Sequence, residues 1–213
     1  MNIFEQVAAN AMAAYPAAEE PAPTCPRCSL VGCSQACSEE HEAARFLPDR
    51  YLWATMKSHR LRALVPLESI SAAQTASEAL APRCAVLGQA GAGKTSLGCA
   101  MLREVLLMVP RARIVFVSAR ELVRARAGQR LGEGDTALMT RAMGAHAVLL
   151  DDLGAEVDKL GDEVGDLIHA RHDDSRPLWV TSGLSPEQIR DRYGAGVSRR
   201  IFEDSTVIRL GLK

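Results

Sequence analysis

Residues 84–107 read CAVLGQAGAGKTSLGCAMLREVLL, and this stretch decides the fold. CAVL is a short apolar run of the kind that forms a buried strand, and SLGCAMLREVLL carries apolar residues at helical spacing. Between them, Gly88-Gln89-Ala90-Gly91-Ala92-Gly93-Lys94-Thr95 fits G-x-x-x-x-G-K-[ST], the Walker A pattern. Glycines in such a loop let backbone N–H groups turn inward around phosphate oxygens, where side chains would block the approach. The N-terminus of the next helix adds partial positive charge. Lys94 has the reach for β- and γ-phosphates. Thr95, with Ser96 beside it, offers a hydroxyl to Mg²⁺. The flanking strand and helix favour a nucleotide triphosphate over a glycine-rich turn with a chance lysine.

Outward from this loop, strands and helices alternate. Apolar runs at Cys84–Leu87, Ile114–Val117, Ala147–Leu150, Leu178–Thr181 and Val207–Leu210 read as strands. Helical patterns fall at 94–108, 119–127, 135–143, 156–172, 186–192 and 196–203. Five short strands separated by helices predict an α/β domain, a five-stranded parallel sheet with helices on both faces.

Ala147-Val148-Leu149-Leu150-Asp151-Asp152 is an apolar strand ending in two carboxylates, the Walker B form. In this order after Walker A, Asp151 is expected to hold Mg²⁺, which keeps much of its water shell. Asp152 is expected to polarise the attacking water, with Glu156 as a helper because Asp is short for the task. The competing reading is a strand capped by aspartates that start a helix. Thr181 and Ser182 end the Leu178–Thr181 strand, where a hydroxyl can sense the γ-phosphate or orient water. The plain alternative is a helix cap, for which Ser185-Pro186-Glu187 is better suited.

Composition narrows the classes. Of 213 residues, 47% are hydrophobic and 24% charged, so a disordered or collagen-like chain is excluded. Aromatics are 4%, too sparse for a base-stacking surface. Net charge is −1, so there is no general basic coat. Charge is nevertheless uneven. Residues 111–130 hold six arginines against Glu121, and residues 149–175 hold nine acids against Lys159 and Arg171. Arg120, Arg124, Arg126 and Arg130 form a stripe in which Arg120 and Arg124 share a helix face. Tracking a nucleic-acid backbone and serving as a solvated face fit it equally. No apolar run is long enough to span a membrane, and the first residues lack a basic leader. A cytoplasmic chain is expected.

Four of the six cysteines fall at Cys25, Cys28, Cys33 and Cys37, behind the proline-rich stretch 16–23. In a reducing compartment this spacing favours metal over disulfides. Four thiolates suit tetrahedral Zn²⁺, with His41 as a substitute ligand; an iron–sulfur cluster and chance clustering are the alternatives. So small a module needs metal for its folding energy. Cys84 and Cys99 read as buried apolar fillers. Residues 1–14 carry Ile3, Phe4, Val7 and Ala11 on one helical face, for a partner groove or as an amphipathic cap.

GQAGAGKT, SARELVRA, AVLLDDLGAE, PLWVTSGLSPEQIRDRYG and SRRIFE, in that order, resemble the bacterial helicase-loader ATPases of the DnaC/DnaI type and their IstB-like transposition-helper relatives. The likeness covers about residues 46–213. It implies an AAA+ ATPase with a P-loop fold, without a C-terminal lid domain, behind a 1–45 module that binds the partner. It further implies ATP and Mg²⁺ as cofactors, self-assembly, single-stranded DNA contact and delivery of the replicative DNA helicase. By the same resemblance Arg200 matches an arginine finger that acts on a neighbour's γ-phosphate; Arg199 and Arg200 as a surface basic pair is the plain alternative. Tyr51 or Trp53 falls where the family shields adenine, or belongs to the core. Gly183 stands where the family carries asparagine, which keeps a nucleotide-gated adaptor with little turnover as an alternative. A small-molecule kinase would need a lid for which the chain has no room.

Overall fold

The computed structural model describes residues 42–109, 111–130, 134–156 and 162–211. The expected helix at 1–14, the proline-rich stretch and the four clustered cysteines lie outside them.

Strands β1 (Arg83–Gly88), β2 (Ile114–Ser118), β3 (Ala147–Leu153), β4 (Leu178–Ser182) and β5 (Thr206–Leu210) form one parallel sheet in the order β2-β3-β4-β1-β5. Each contains the apolar run from which it was expected. From residue 59 on, the described helices are α1 (His59–Leu64), α2 (Leu67–Glu78), α3 (Lys94–Met108), α4 (Ala119–Ala127), α5 (Ala137–Gly144), α6 (Glu163–Asp173) and α7 (Pro186–Phe202).

Alternation along the strands divides the core in two. Cys84, Val86, Leu149 and Trp179 face the layer of α2 and α3, where Ile70, Leu97, Met101 and Leu102 pack. Ala85, Leu87, Leu150 and Val180 face α4 to α7, where Leu122, Met139, Leu167 and Ile201 pack. Because both faces are covered, the strands are runs of apolar residues rather than alternating ones. Trp179 is fully buried and its indole N–H donates to the Ala81 carbonyl at 2.8 Å, so burying the ring strands no donor.

Some element ends differ from expectation. The helix expected over 156–172 is α6, which begins at Glu163, so Glu156 belongs to the loop after β3. The two expected pieces 186–192 and 196–203 are one element, broken at Gly194 (φ 84°, ψ 163°). α1 and α2 carry no strong periodic signal. α2 buries Ser69, Ile70, Ala73, Ala76 and Ser77, mostly small residues that make no stripe of large apolar groups. The Ser77 hydroxyl is satisfied by the Ala73 carbonyl at 2.7 Å.

In the sequence Arg171 is one of two basic residues among the acids of 149–175. It is fully buried, and its guanidinium donates to the Ala142, Ala145 and Pro177 carbonyls at 2.7, 3.1 and 2.6 Å. The first two end α5, whose last carbonyls lack helical partners, so a cation from α6 closes that terminus. Burial pulls the Arg171 pKa down to about 10. Among the described residues no helix is long and apolar enough to cross a membrane.

Candidate functional site

The loop between β1 and α3 is shaped by close backbone approach. A Cβ on Gly88 would stand 2.2 Å from the Leu210 carbonyl oxygen of β5, so that position admits glycine alone. Gly211, just past β5, lies against Ala92 of the same loop. Gly93 caps α3 with φ 88°, the left-handed region, and a Cβ there would meet Val65 Cγ2 at 2.8 Å. Lys94 is buried, and its ammonium donates to the Gln89 carbonyl at 2.9 Å. This bond curls the loop around its own lysine.

The loop opens on a cavity of about 530 Å³. Its walls include Gly91, Lys94 and Thr95 from the loop, Asp152 from β3, and Gly183 after β4. The strand ends after β1, β3 and β4 thus meet at one site, as expected where ligands bind at the carboxyl ends of a parallel sheet.

Asp151 is buried at the end of β3 and accepts a hydrogen bond from Thr181 Oγ1 at 2.6 Å. Burial pushes its carboxyl above the usual carboxylate range, while hydrogen bonds from Thr181 and Thr95 pull it back. Thr95 on the phosphate loop is thus a near neighbour of Asp151 on β3. A hydroxyl and a carboxylate are hard oxygen donors, the set that Mg²⁺ takes.

Asp152 does what its neighbour does not: it is exposed and reaches the cavity. The β3–β4 register slips between Leu150 and Leu153, and Asp152 has φ 53°. The slip turns two successive carboxylates to different surroundings, one inward and one to the ligand space. Thr181 Oγ1 accepts from the Asp152 N–H at 3.0 Å, so one hydroxyl holds both acids.

Thr181 and Ser182 are fully buried. Ser182 Oγ donates to the Leu153 carbonyl at 2.6 Å and accepts from the Leu184 N–H at 3.0 Å. Both hydroxyls tie β4 to the end of β3, and neither residue lines the cavity. The helix cap belongs to Ser185, with Gln188 completing a capping box. At the cavity itself stands Gly183.

Glu156, expected beside Asp152, is turned elsewhere. Its Oε1 accepts from Arg192 Nε at 3.3 Å and from the Tyr193 hydroxyl, and its Oε2 accepts from the Gly154 N–H at 3.1 Å. It does not line the cavity. Arg192 and Tyr193 were missed from sequence: they fall within the PLWVTSGLSPEQIRDRYG stretch, but nothing local in it marks them as partners of Glu156.

Tyr51 lines the cavity with Leu64. Trp53 does not; its indole N–H donates to the Arg50 carbonyl at 2.7 Å, and Arg60 stacks on its ring. The basic stripe is partly committed inside the chain. Arg120 donates to the Ala155 carbonyl at 3.1 Å, and Arg126 pairs with Glu163 at 3.4 Å, while Arg124 is exposed. Arg200 lies outside the cavity, with Nε 3.9 Å from Asp173 and Nη1 donating to the Gly196 carbonyl at 3.3 Å.

Neither a protein-family model nor a curated protein sequence matches the chain. Solved structures do. The DnaC helicase loader superposes with a TM-score of 0.64 at 18% identity, over 77% of this chain and 100% of that one. DnaI gives 0.63 at 22% identity, over 79% of this chain and 93% of that one. AMPPCP-bound DnaA from Aquifex aeolicus gives 0.59 at 20% identity, over 79% of this chain and 52% of that one. The resemblance read from the motifs thus extends to the path of the backbone, and the described residues have the α/β fold with a five-stranded parallel sheet that the DnaC helicase loader, DnaI and DnaA share.

Proposed function

We propose that this chain is an ATP-hydrolysing helicase loader of the DnaC/DnaI kind. The observation that carries the reading is the convergence of Lys94, Thr95 and Asp152 on one cavity, with Asp151 buried next to Asp152 at the end of β3, within a fold shared with DnaC and DnaI.

On this reading a triphosphate replaces the Gln89 carbonyl as the partner of the Lys94 ammonium, exchanging a neutral acceptor for an anionic one. Thr95 and Asp151 are the residues that would hold Mg²⁺, which when bound neutralises phosphate charge. Asp152 takes the proton of the water that attacks the γ-phosphorus as the bond to the β-phosphate breaks. Arg200 of a neighbouring copy supplies positive charge to the γ-phosphate, so turnover requires assembly. Tyr51 and Leu64 are placed to cover the base. The remaining roles rest on the sequence: Cys25, Cys28, Cys33 and Cys37 hold Zn²⁺ in a 1–45 module that grips the replicative helicase, and the 111–130 arginines, Arg124 foremost, contact single-stranded DNA.

Native mass spectrometry of the chain with its host's replicative helicase, with and without ATP, tests the reading. A complex at a defined subunit ratio is expected, with the mass of bound zinc in the same spectrum. Absence of a complex in both conditions sinks the loader reading, and binding to duplex DNA with a transposase then tests the transposition-helper alternative.

A second reading has an observation of its own. Thr181 and Ser182 are used internally and Gly183 faces the cavity, so the strand end after β4 offers the phosphates no side chain. A nucleotide-gated adaptor with little turnover fits that arrangement. Phosphate release far slower than nucleotide exchange, in the assembled protein, would favour it.

A further inference from the structure

The loop that follows Asp152 forms part of the cavity wall through Gly154 and Ala155. Its own bonds are local. The Ala155 N–H donates to the Asp152 carbonyl at 3.0 Å, and the Gly154 N–H to Glu156 Oε2 at 3.1 Å. Two arginines from separate helices hold it from outside. Arg120 of α4 places Nε and Nη2 on the Ala155 carbonyl at 3.4 and 3.1 Å. Arg192 of α7 places Nη2 on the next carbonyl, that of Glu156, at 2.6 Å, and Nε on the Glu156 carboxylate at 3.3 Å. The Tyr193 hydroxyl donates to that carboxylate as well. Consecutive carbonyl oxygens are therefore gripped by two guanidinium groups.

Asp152 needs such support. Its φ of 53° lies in a region that side chains disfavour, so neighbours must impose it. Thr181 fixes the N–H of Asp152, on the β4 side. The carbonyl of Asp152 is bound to Ala155, and Ala155 is what Arg120 holds. A planar fork with several fixed donors suits this task, and a lysine point charge does not reproduce it.

We propose that Arg120 and Arg192 are positioning residues for hydrolysis, fixing the Gly154–Ala155 wall through the consecutive carbonyls of Ala155 and Glu156 so that the Asp152 carboxylate stays directed at the phosphates. This rests on the hydrolytic reading of the site. It also gives Glu156 a definite part: it anchors the wall to α7, where the sequence suggests a helper carboxylate beside Asp152.

The test uses the full chain with Arg120→Met, Arg192→Met, the double variant, Arg192→Lys, and Arg190→Met as a control on the same helix. Arg190 is exposed and pairs only loosely with Asp191 at 3.8 Å. Affinity for a fluorescent ATP analogue with Mg²⁺, turnover at saturating ATP, and amide hydrogen exchange over residues 152–156 are measured together. Affinity is expected to stay within about twofold of wild type, because the phosphate loop is untouched. Turnover is expected to fall about tenfold in each single variant, short of what a full 1 Å misplacement costs. The Gly154 and Ala155 amides should exchange faster, Arg192→Lys should recover little, and the double variant should lose less than the product of the singles, as for residues acting through one loop. Should Arg192→Met fail to fold, the exposed Arg120→Met decides alone. Unchanged exchange, faster exchange with normal turnover, or affinity and turnover falling in parallel each overturn the proposal. A wild type that binds ATP without hydrolysing it overturns the hydrolytic reading together with this one, and the wild-type control separates that case from the others.

Discussion

Thr181 does two jobs with one hydroxyl, donating to Asp151 and accepting from the Asp152 N–H. Valine has nearly the same shape and neither function. Thr181→Val should cost about 1–3 kcal/mol in a urea titration, because it leaves buried polar groups unpaired, whereas Thr181→Ser should stay close to wild type. Lys94→Ala should abolish ATP binding in calorimetry; unchanged affinity would remove the phosphate loop from the site. Cys84 and Cys99 are buried, and burial pushes both thiols up, Cys84 to about 12. Iodoacetamide at pH 8 should therefore leave both unlabelled in folded protein and alkylate both after denaturation, read by peptide mass. At this scale the sequence was legible wherever chemistry is written in consecutive residues. Lys94, Thr95, Asp151 and Asp152 belong to local patterns. The use of Thr181 was not, because it depends on a register slip between β3 and β4 that no single segment contains.

The elements show the same division. α3 and α4 begin and end where their spacing places them, since large apolar residues mark one face of each. α2 escaped notice because helix–helix packing there rests on alanine and serine, which leave no hydrophobic stripe. Close packing also explains Gly98 in α3. A Cβ at that position would come within 2.6 Å of Leu149 Cδ2, a fully buried side chain of β3. Gly98→Ala should raise helix propensity and still destabilise the protein, by about 1–3 kcal/mol as overpacking does. A thermal melt above that of wild type would contradict it. The break at Gly194 separates the half of α7 that holds Glu156 from the half that carries Arg199 and Arg200. The helix expected from residue 156 begins at Glu163, and Glu156 instead ties the end of the β3 loop to α7 through Arg192 and Tyr193.

In the whole molecule, the proposed loader function makes demands that one chain does not meet by itself. Arg200 sits against Asp173 rather than in the cavity of its own chain. Arg200→Ala should keep monomer nucleotide affinity and lower turnover only in assemblies, and wild-type turnover in that variant would take Arg200 out of the site. Swapping Cys28 for Ser should release the metal proposed for the 1–45 module, and an unchanged metal content would end that assignment. The two-sided sheet also orders events in the making of the protein. Leu210 and Gly211 rest directly on the phosphate loop, at Gly88 and Ala92. In chain order β5 is the last of the five strands, and the loop it seals is formed near the first. A ribosome therefore releases the phosphate-loop motif long before it releases the strand that shapes it. Nascent chains arrested before Thr206 should fail to be retained on ATP resin, and longer ones should bind, so that ATP distinguishes copies that have made β5 from copies that have not.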